Sequence, residues 1–212
     1  ELNGFLSMIT TSVENSLTIK LDSLIMRTIN NFIGSVLHTK NKNTAVNLLD
    51  MYNKSAGETL KADKALLDPK FLRYANFIIN SYINRMTRIS TLFNNGGKER
   101  FTSKDRQHLI LLSDFAESSN VFLQSDVYHN EFTSLNNFET VPYWQGTGKS
   151  YTFSDISSIN VKANIGDTIP IEVKQTGILG VLFDRTALGV ANFDKGVTTN
   201  YNPKAEFYTN FY

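Results

Sequence analysis

Val13 to Leu37 reads VENSLTIKLDSLIMRTINNFIGSVL. Leu17, Leu21, Leu24, Ile25, Ile29, Phe32, Ile33 and Val36 recur at steps of three and four, which lays one apolar face along an amphipathic helix. At 1.5 Å per residue such a helix extends roughly 37 Å. That is long for a small globule and suits an elongated scaffold.

Working outward, the polar run HTKNKN (residues 38–43) breaks the pattern. Thr44 is placed to cap a short helix through Tyr52, ended near Gly57. Asp68-Pro69 is a strong start signal, because Asp accepts from free N–H groups and Pro loses no hydrogen bond at the first helical position. Leu72, Ala75, Ile79, Tyr82, Met86 and Ile89 then mark a second long helix, stopped by the NNGG run at Asn94 to Gly97. Arg85 and Arg88 fall in its last turns, where they oppose the helix dipole. After a turn at Thr102 to Asp105, HLILLS (residues 108–113) reads as a buried strand. Asp114 is placed to cap a helix over Phe115 to Tyr128.

From Glu139 the character changes. SYTFSDISSINVKA, IPIEVK, ILGVLF and VTTNYN alternate between apolar and polar residues, with Gly, Asp, Asn and Pro between them, so the C-terminal half reads as strand-rich. Helices first and strands later indicate an α+β fold rather than a doubly wound sheet. No internal repeat and no low-complexity tract is present.

Composition narrows the function classes. A chain of 212 residues buries a real core, and 41% hydrophobic with 19% charged residues is an ordinary globular balance. A net charge of +1 gives no overall drive toward nucleic acid or anionic membrane. The absence of Cys removes disulfides, thiolate zinc sites and cysteine nucleophiles. No apolar run approaches the roughly 20 residues needed to span a bilayer. Glu1 is not an initiator Met, and EFYTNFY at the other end reads as unfinished strand, so the functional unit is expected to be longer than this chain.

Motifs for catalysis fail on inspection. Gly148-Lys149-Ser150 ends like a phosphate-binding loop, but that motif needs a Gly where Tyr143 stands, and its Lys-Ser must open a helix. Tyr151 to Ser154 alternate like a strand instead. His38, His108 and His129 lie far apart. The nearest cluster, His129 with Asp126 and Glu131, does not share a helical face and reads as a solvated helix end. Asp184 and Asp194 form a carboxylate pair better explained by turns. No nucleophile elbow occurs. Lys and Arg are scattered and do not interleave with aromatics, and the aromatics follow core periodicity. Enzymatic activity has no support, and no cofactor is implied.

A more specific signal is colinear. GILGVLFDRTALGV (residues 177–190) and VTTNYNPKAEFYTNFY (197–212) closely resemble the C-terminal region of major capsid proteins of small, short-tailed bacteriophages of Gram-positive hosts. DSLIMRTINNFI (22–33), FLRYANFIINSY (71–82), MTRISTLFN (86–94), FLQSDVYHNEFTSL (122–135) and VPYWQGTG (141–148) match in the same order.

The resemblance implies the capsid fold of tailed phages and herpesvirus shells. Residues 1–39 would be the spine helix of a peripheral domain, 40–203 an axial domain, and 204–212 the start of a return strand. An N-terminal arm, an extended loop and a C-terminal end usual in the family are missing, which implies a folded monomer or small oligomer for this chain. The implied partners are copies of itself as pentamers and hexamers, scaffolding and portal proteins, and packaged DNA in weak nonspecific contact, without a membrane. In that setting Asp184 would cap the turn after the strand Ile178 to Phe183, and Arg185 would grip a neighbouring carboxylate. Tyr201, Asn202 and Pro203 would turn the chain into the return strand, with Glu206 and Phe207 beyond. Two other readings are a portal or decoration subunit, and a carbohydrate-binding module using an exposed Trp144 or a Tyr cluster.

Overall fold

The computed structural model describes residues 2–94, 96–124, 138–145, 150–163, 171–191, 198–202 and 207–211. Helix α1 (Leu2–His38) is 37 residues long, about 55 Å at 1.5 Å per residue. It starts eleven residues before the expected Val13. No Pro interrupts residues 2–12, and once a helix is nucleated each added residue costs little, so the helix outruns its apolar pattern.

Only the C-terminal part of α1 is anchored. Between Ser7 and Thr28 no residue is buried, whereas Ile29, Asn30, Ile33 and Gly34 are. These meet the hairpin of β3 (Ile159–Ala163) and β4 (Ile171–Gln175), paired antiparallel with Val161 opposite Val173. Gly34 lets the two backbones approach, because a Cβ there would run into the Val161 side chain.

Helix α2 (Leu48–Ala56) is capped by Asn47, whose side chain accepts from the Asp50 N–H at 3.1 Å, rather than by Thr44. Thr44 instead donates its hydroxyl to the Asn41 carbonyl within the preceding turn. Gly57 ends α2 in the left-handed conformation, as expected. After the single turn α3 (Ala62–Ala65), α4 (Pro69–Met86) opens as the Asp68-Pro69 pair requires, with the Asp68 carboxylate accepting from the N–H groups of Lys70 and Phe71. The helix stops at Met86, before the NNGG run. The chain folds back there, with Arg100 bridged to Ser90 and the Thr102 N–H donating to Met86 at 2.7 Å. Arg88 therefore lies beyond the helix.

A 3₁₀ turn at Lys104–Arg106 leads into β1 (Gln107–Leu112), the buried strand anticipated at HLILLS. Helix α5 (Ser113–Gln124) begins one residue before Asp114, which sits in its first turn. The expected continuation to Tyr128 lies outside the described residues. A three-stranded sheet has the order β2-β1-β5, with β2 (Phe138–Val141) parallel to β1, and β5 (Gly180–Asp184) antiparallel. Such a parallel pair needs a crossover, and α5 lies within the connecting segment. Strands β6 (Thr198–Asn202) and β7 (Phe207–Phe211) form a separate antiparallel hairpin.

One expectation is corrected between the sheets. Tyr151 to Ser154 do not form a strand: Phe153–Ile156 make the single-turn helix α6. Alternation over four residues is too short to tell strand from turn, and hydrogen bonds from Ile156 and Ser157 back to Thr152 and Phe153 close the turn. The mixture of helices and sheets is α+β. Its core is continuous, from Ile29 and Ile33 through Phe71, Leu72 and Ala75 to Leu109–Leu112, Phe115, Trp144 and Ile159.

Candidate functional site

The FDRTALGV motif forms a corner where β1 begins and β5 ends. The register places Gln107 opposite Asp184, so Arg106 and Arg185 lie side by side, joined by the Arg185 N–H donating to the Arg106 carbonyl at 2.9 Å. Asp184 terminates β5 and organises the following turn. Its Oδ1 accepts from the Thr186 N–H (2.9 Å) and hydroxyl (2.8 Å), and its Oδ2 accepts from the Thr102 hydroxyl (3.1 Å). Burial by itself would raise the Asp184 carboxyl. The Thr186 N–H and hydroxyl, the Thr102 hydroxyl and the Arg106 charge outweigh burial and hold it below the usual carboxylate value.

The cation on Asp184 is not Arg185. Arg106 Nη2 donates to Asp184 Oδ1 (3.3 Å) and Oδ2 (3.1 Å), and to Thr186 Oγ1 (3.1 Å). Arg185 is exposed and makes no ion pair among the described residues. It contributes to the positive field at Asp105, whose carboxyl is lowered first by the Ser103 hydroxyl, then by its own backbone N–H and by the two arginine charges. The strand register decides which of two adjacent arginines meets the carboxylate, and spacing in the chain does not reveal it.

The other singled-out residues fall elsewhere. Tyr201 and Asn202 are the last paired residues of β6, opposite Tyr208 and Phe207, so they lie in the ladder rather than in a turn. Phe207 opens β7. Pro203 and Glu206 lie outside the described residues, as do Asp194, His129, Asp126, Glu131, Gly148 and Lys149. Ser150 is exposed and donates to Asp155 at 3.3 Å. His38 ends α1, while His108 sits on β1 against Phe183, 3.4 Å from Glu139.

Trp144 is a structural knot. It is 1% exposed, and its indole N–H donates to the Ile178 carbonyl at 2.9 Å. Its backbone N–H donates to Ile156, and its carbonyl accepts from Asn30 of α1 at 2.6 Å. A sugar-binding platform needs an exposed ring, so the carbohydrate reading on Trp144 is overturned. Among the described residues no group of three or more acidic or His side chains gathers to hold a metal. No helix there is long and apolar enough to cross a membrane.

What is exposed is the first half of α1. Ile9, Val13, Leu17, Leu21 and Leu24 follow at steps of four, four, four and three along one side. Leu17 and Leu21 are half-buried and the other three exposed. Met8 (73% exposed) and Ile19 (68%) project from another side. An exposed apolar stripe of this kind is the usual mark of an interaction surface.

The family model of the Phi29-like phage major capsid protein matches residues 1–212. The chain belongs to that family. Neither curated proteins nor solved structures gave a match. As a major capsid protein it is a structural component of the virion rather than an enzyme, and copies of itself are its partners. The long bare helix fits that assignment.

Proposed function

We propose that this capsid protein self-assembles into the icosahedral shell that encloses the phage DNA genome, and that the N-terminal half of α1 is one of its subunit contacts. The observation that carries the reading is the apolar stripe Ile9, Val13, Leu17, Leu21 and Leu24 on a helix with no buried residue from Ser7 to Thr28. Many modest contacts of this kind, closed by symmetry, give a shell collective stability.

In this reading α1 is the spine of a peripheral domain (1–39), residues 40–203 form the axial domain, and 204–212 begin the return strand. The packing of β3 and β4 on α1 is then the joint between the first two. Exposed Arg185 is offered to a neighbouring subunit, while Asp184 fixes the turn that presents it. Tyr201, Asn202 and Phe207, paired between β6 and β7, are offered to neighbouring subunits as well, and Pro203 and Glu206, outside the described residues, belong to the same proposal. Scaffolding and portal proteins are further partners, met during assembly in the host cytoplasm.

Sedimentation velocity of the 212-residue chain across a concentration series tests the helix contact. Val13→Lys with Leu24→Lys is expected to abolish concentration-dependent association while leaving the melting temperature unchanged. A wild-type chain that stays monomeric at high concentration, or a double variant that associates as well as wild type, defeats the proposal.

A further inference from the structure

The net charge of +1 hides a division of the chain. Residues 69–106 hold eight basic and two acidic residues, a net of +6. The rest holds thirteen basic and eighteen acidic, a net of −5. All eight basic side chains are exposed. Helix α4 contains Lys70, Arg73 and Arg85 and not one acidic residue.

Helical geometry gathers these groups. Arg73, Phe77, Asn80 and Asn84 follow at steps of four, three and four, so they share one side of α4, opposite the buried Phe71, Leu72, Ala75 and Ile78, and Arg88 comes to the same end from the turn after the helix. Phe77, Asn80, Ser81, Asn84, Arg85 and Arg88 line one open depression of about 430 Å³. The returning loop adds Lys98 and Arg100 at the same end, because Arg100 is bridged to Ser90 and Phe93 packs edge-on against Tyr82 at 5.8 Å. Arg85 lies 5.5 Å over the Tyr82 ring, which holds the guanidinium at the surface.

We propose that this face of α4, with the loop beside its C-terminal end, binds the phosphodiester backbone of duplex DNA. The proposal rests on the capsid reading and names the surface that would face the packaged genome. Arginine guanidiniums and the amide and hydroxyl donors of Asn80, Ser81 and Asn84 are the groups that contact phosphate oxygens. The lining offers no carboxylate to repel them. Duplex is favoured over single strand because unpaired bases need several stacking platforms, and Phe77 is the one aromatic residue in the lining. Backbone contact without base reading gives weak, salt-sensitive affinity, in the range of about 10⁻⁴ to 10⁻⁶ M. Such contact holds a genome without fixing its sequence.

Fluorescence anisotropy of a labelled 30-base-pair duplex, titrated with the full chain at several salt concentrations, tests the assignment. Arg85→Glu with Arg88→Glu is expected to weaken binding at least about tenfold, and to reduce the slope of log affinity against log salt by roughly 2, near 0.9 per phosphate contact. Arg85→Lys with Arg88→Lys should keep most of the affinity. Lys42→Glu with Lys61→Glu, an equal charge change outside residues 69–106, should keep the slope. Circular dichroism and melting confirm that each variant is folded.

The assignment fails if wild type does not bind duplex, if the two charge reversals are indistinguishable, or if polyglutamate binds wild type more tightly than duplex of equal charge. The last result would identify an acidic protein as the partner. Loss of self-association with DNA binding intact would count against the capsid reading alone.

Discussion

Asp184→Asn keeps the size of the side chain but removes the charge that three hydrogen-bond donors and Arg106 were arranged to meet. The expected loss is about 2 kcal/mol, the range for a hydrogen-bonded charge whose partners stay behind. Because the folded Asp184 carboxyl titrates below its ordinary value, its contribution is present above the unfolded pKa near 3.8 and fades as pH falls through the lower folded value. Urea unfolding of wild type and Asp184→Asn should therefore converge once the pH has fallen below that lowered value. Tyr52 makes the opposite prediction. Burial first, then the hydrogen bond to Glu58 and the charges of Asp68 and Glu58, push its hydroxyl up to about 12. Its contribution is full below pH 10 and is lost between pH 10 and 12, so Tyr52→Phe should flatten the alkaline limb of the stability curve.

Between elements, close approach is set by two glycines. A Cβ on Gly180 would lie 2.6 Å from Leu111 Cδ2 and 2.9 Å from the Ile110 carbonyl, and the latter is backbone that cannot step aside. Gly180→Ala should cost about 2 kcal/mol, read as a lower urea midpoint with unchanged m-value. Asp68→Ala removes the cap of α4 and should cost about 1 kcal/mol. These elements differ in how plainly the sequence announces them. The Asp68-Pro69 start, the Gly57 stop and the β1 strand follow from local chemistry. The end of α4 at Met86 does not, because the Thr102 N–H donates to the Met86 carbonyl from sixteen residues away. Likewise Trp144 reads as exposed or buried with equal ease until Asn30, Ile156 and Ile178 are brought around it.

At the scale of the molecule, the fold leaves one end of its longest helix bare and collects positive charge on another. Both features are costly to an isolated monomer: the first exposes apolar surface to water, the second sets like charges side by side. Raising salt should therefore raise the melting temperature of the isolated chain modestly, through screening of residues 69–106, and the Arg85→Glu, Arg88→Glu variant should lose that salt response. Differential scanning calorimetry from 20 to 500 mM salt reads it directly.

Sequence alone determined the α+β class, the amphipathic run within α1, the capped start of α4, the lack of catalytic motifs and, through colinear resemblance, the capsid family. Each rests on periodicity, local hydrogen-bonding chemistry or residue order, all of which are written along the chain. Tertiary structure decided that Arg106 rather than Arg185 holds Asp184, that Trp144 is enclosed, and that apparently scattered arginines share a face with Phe77. These facts depend on strand register and on which side of a helix is left uncovered. Both are fixed by contacts between residues distant in sequence, to which local propensity is blind.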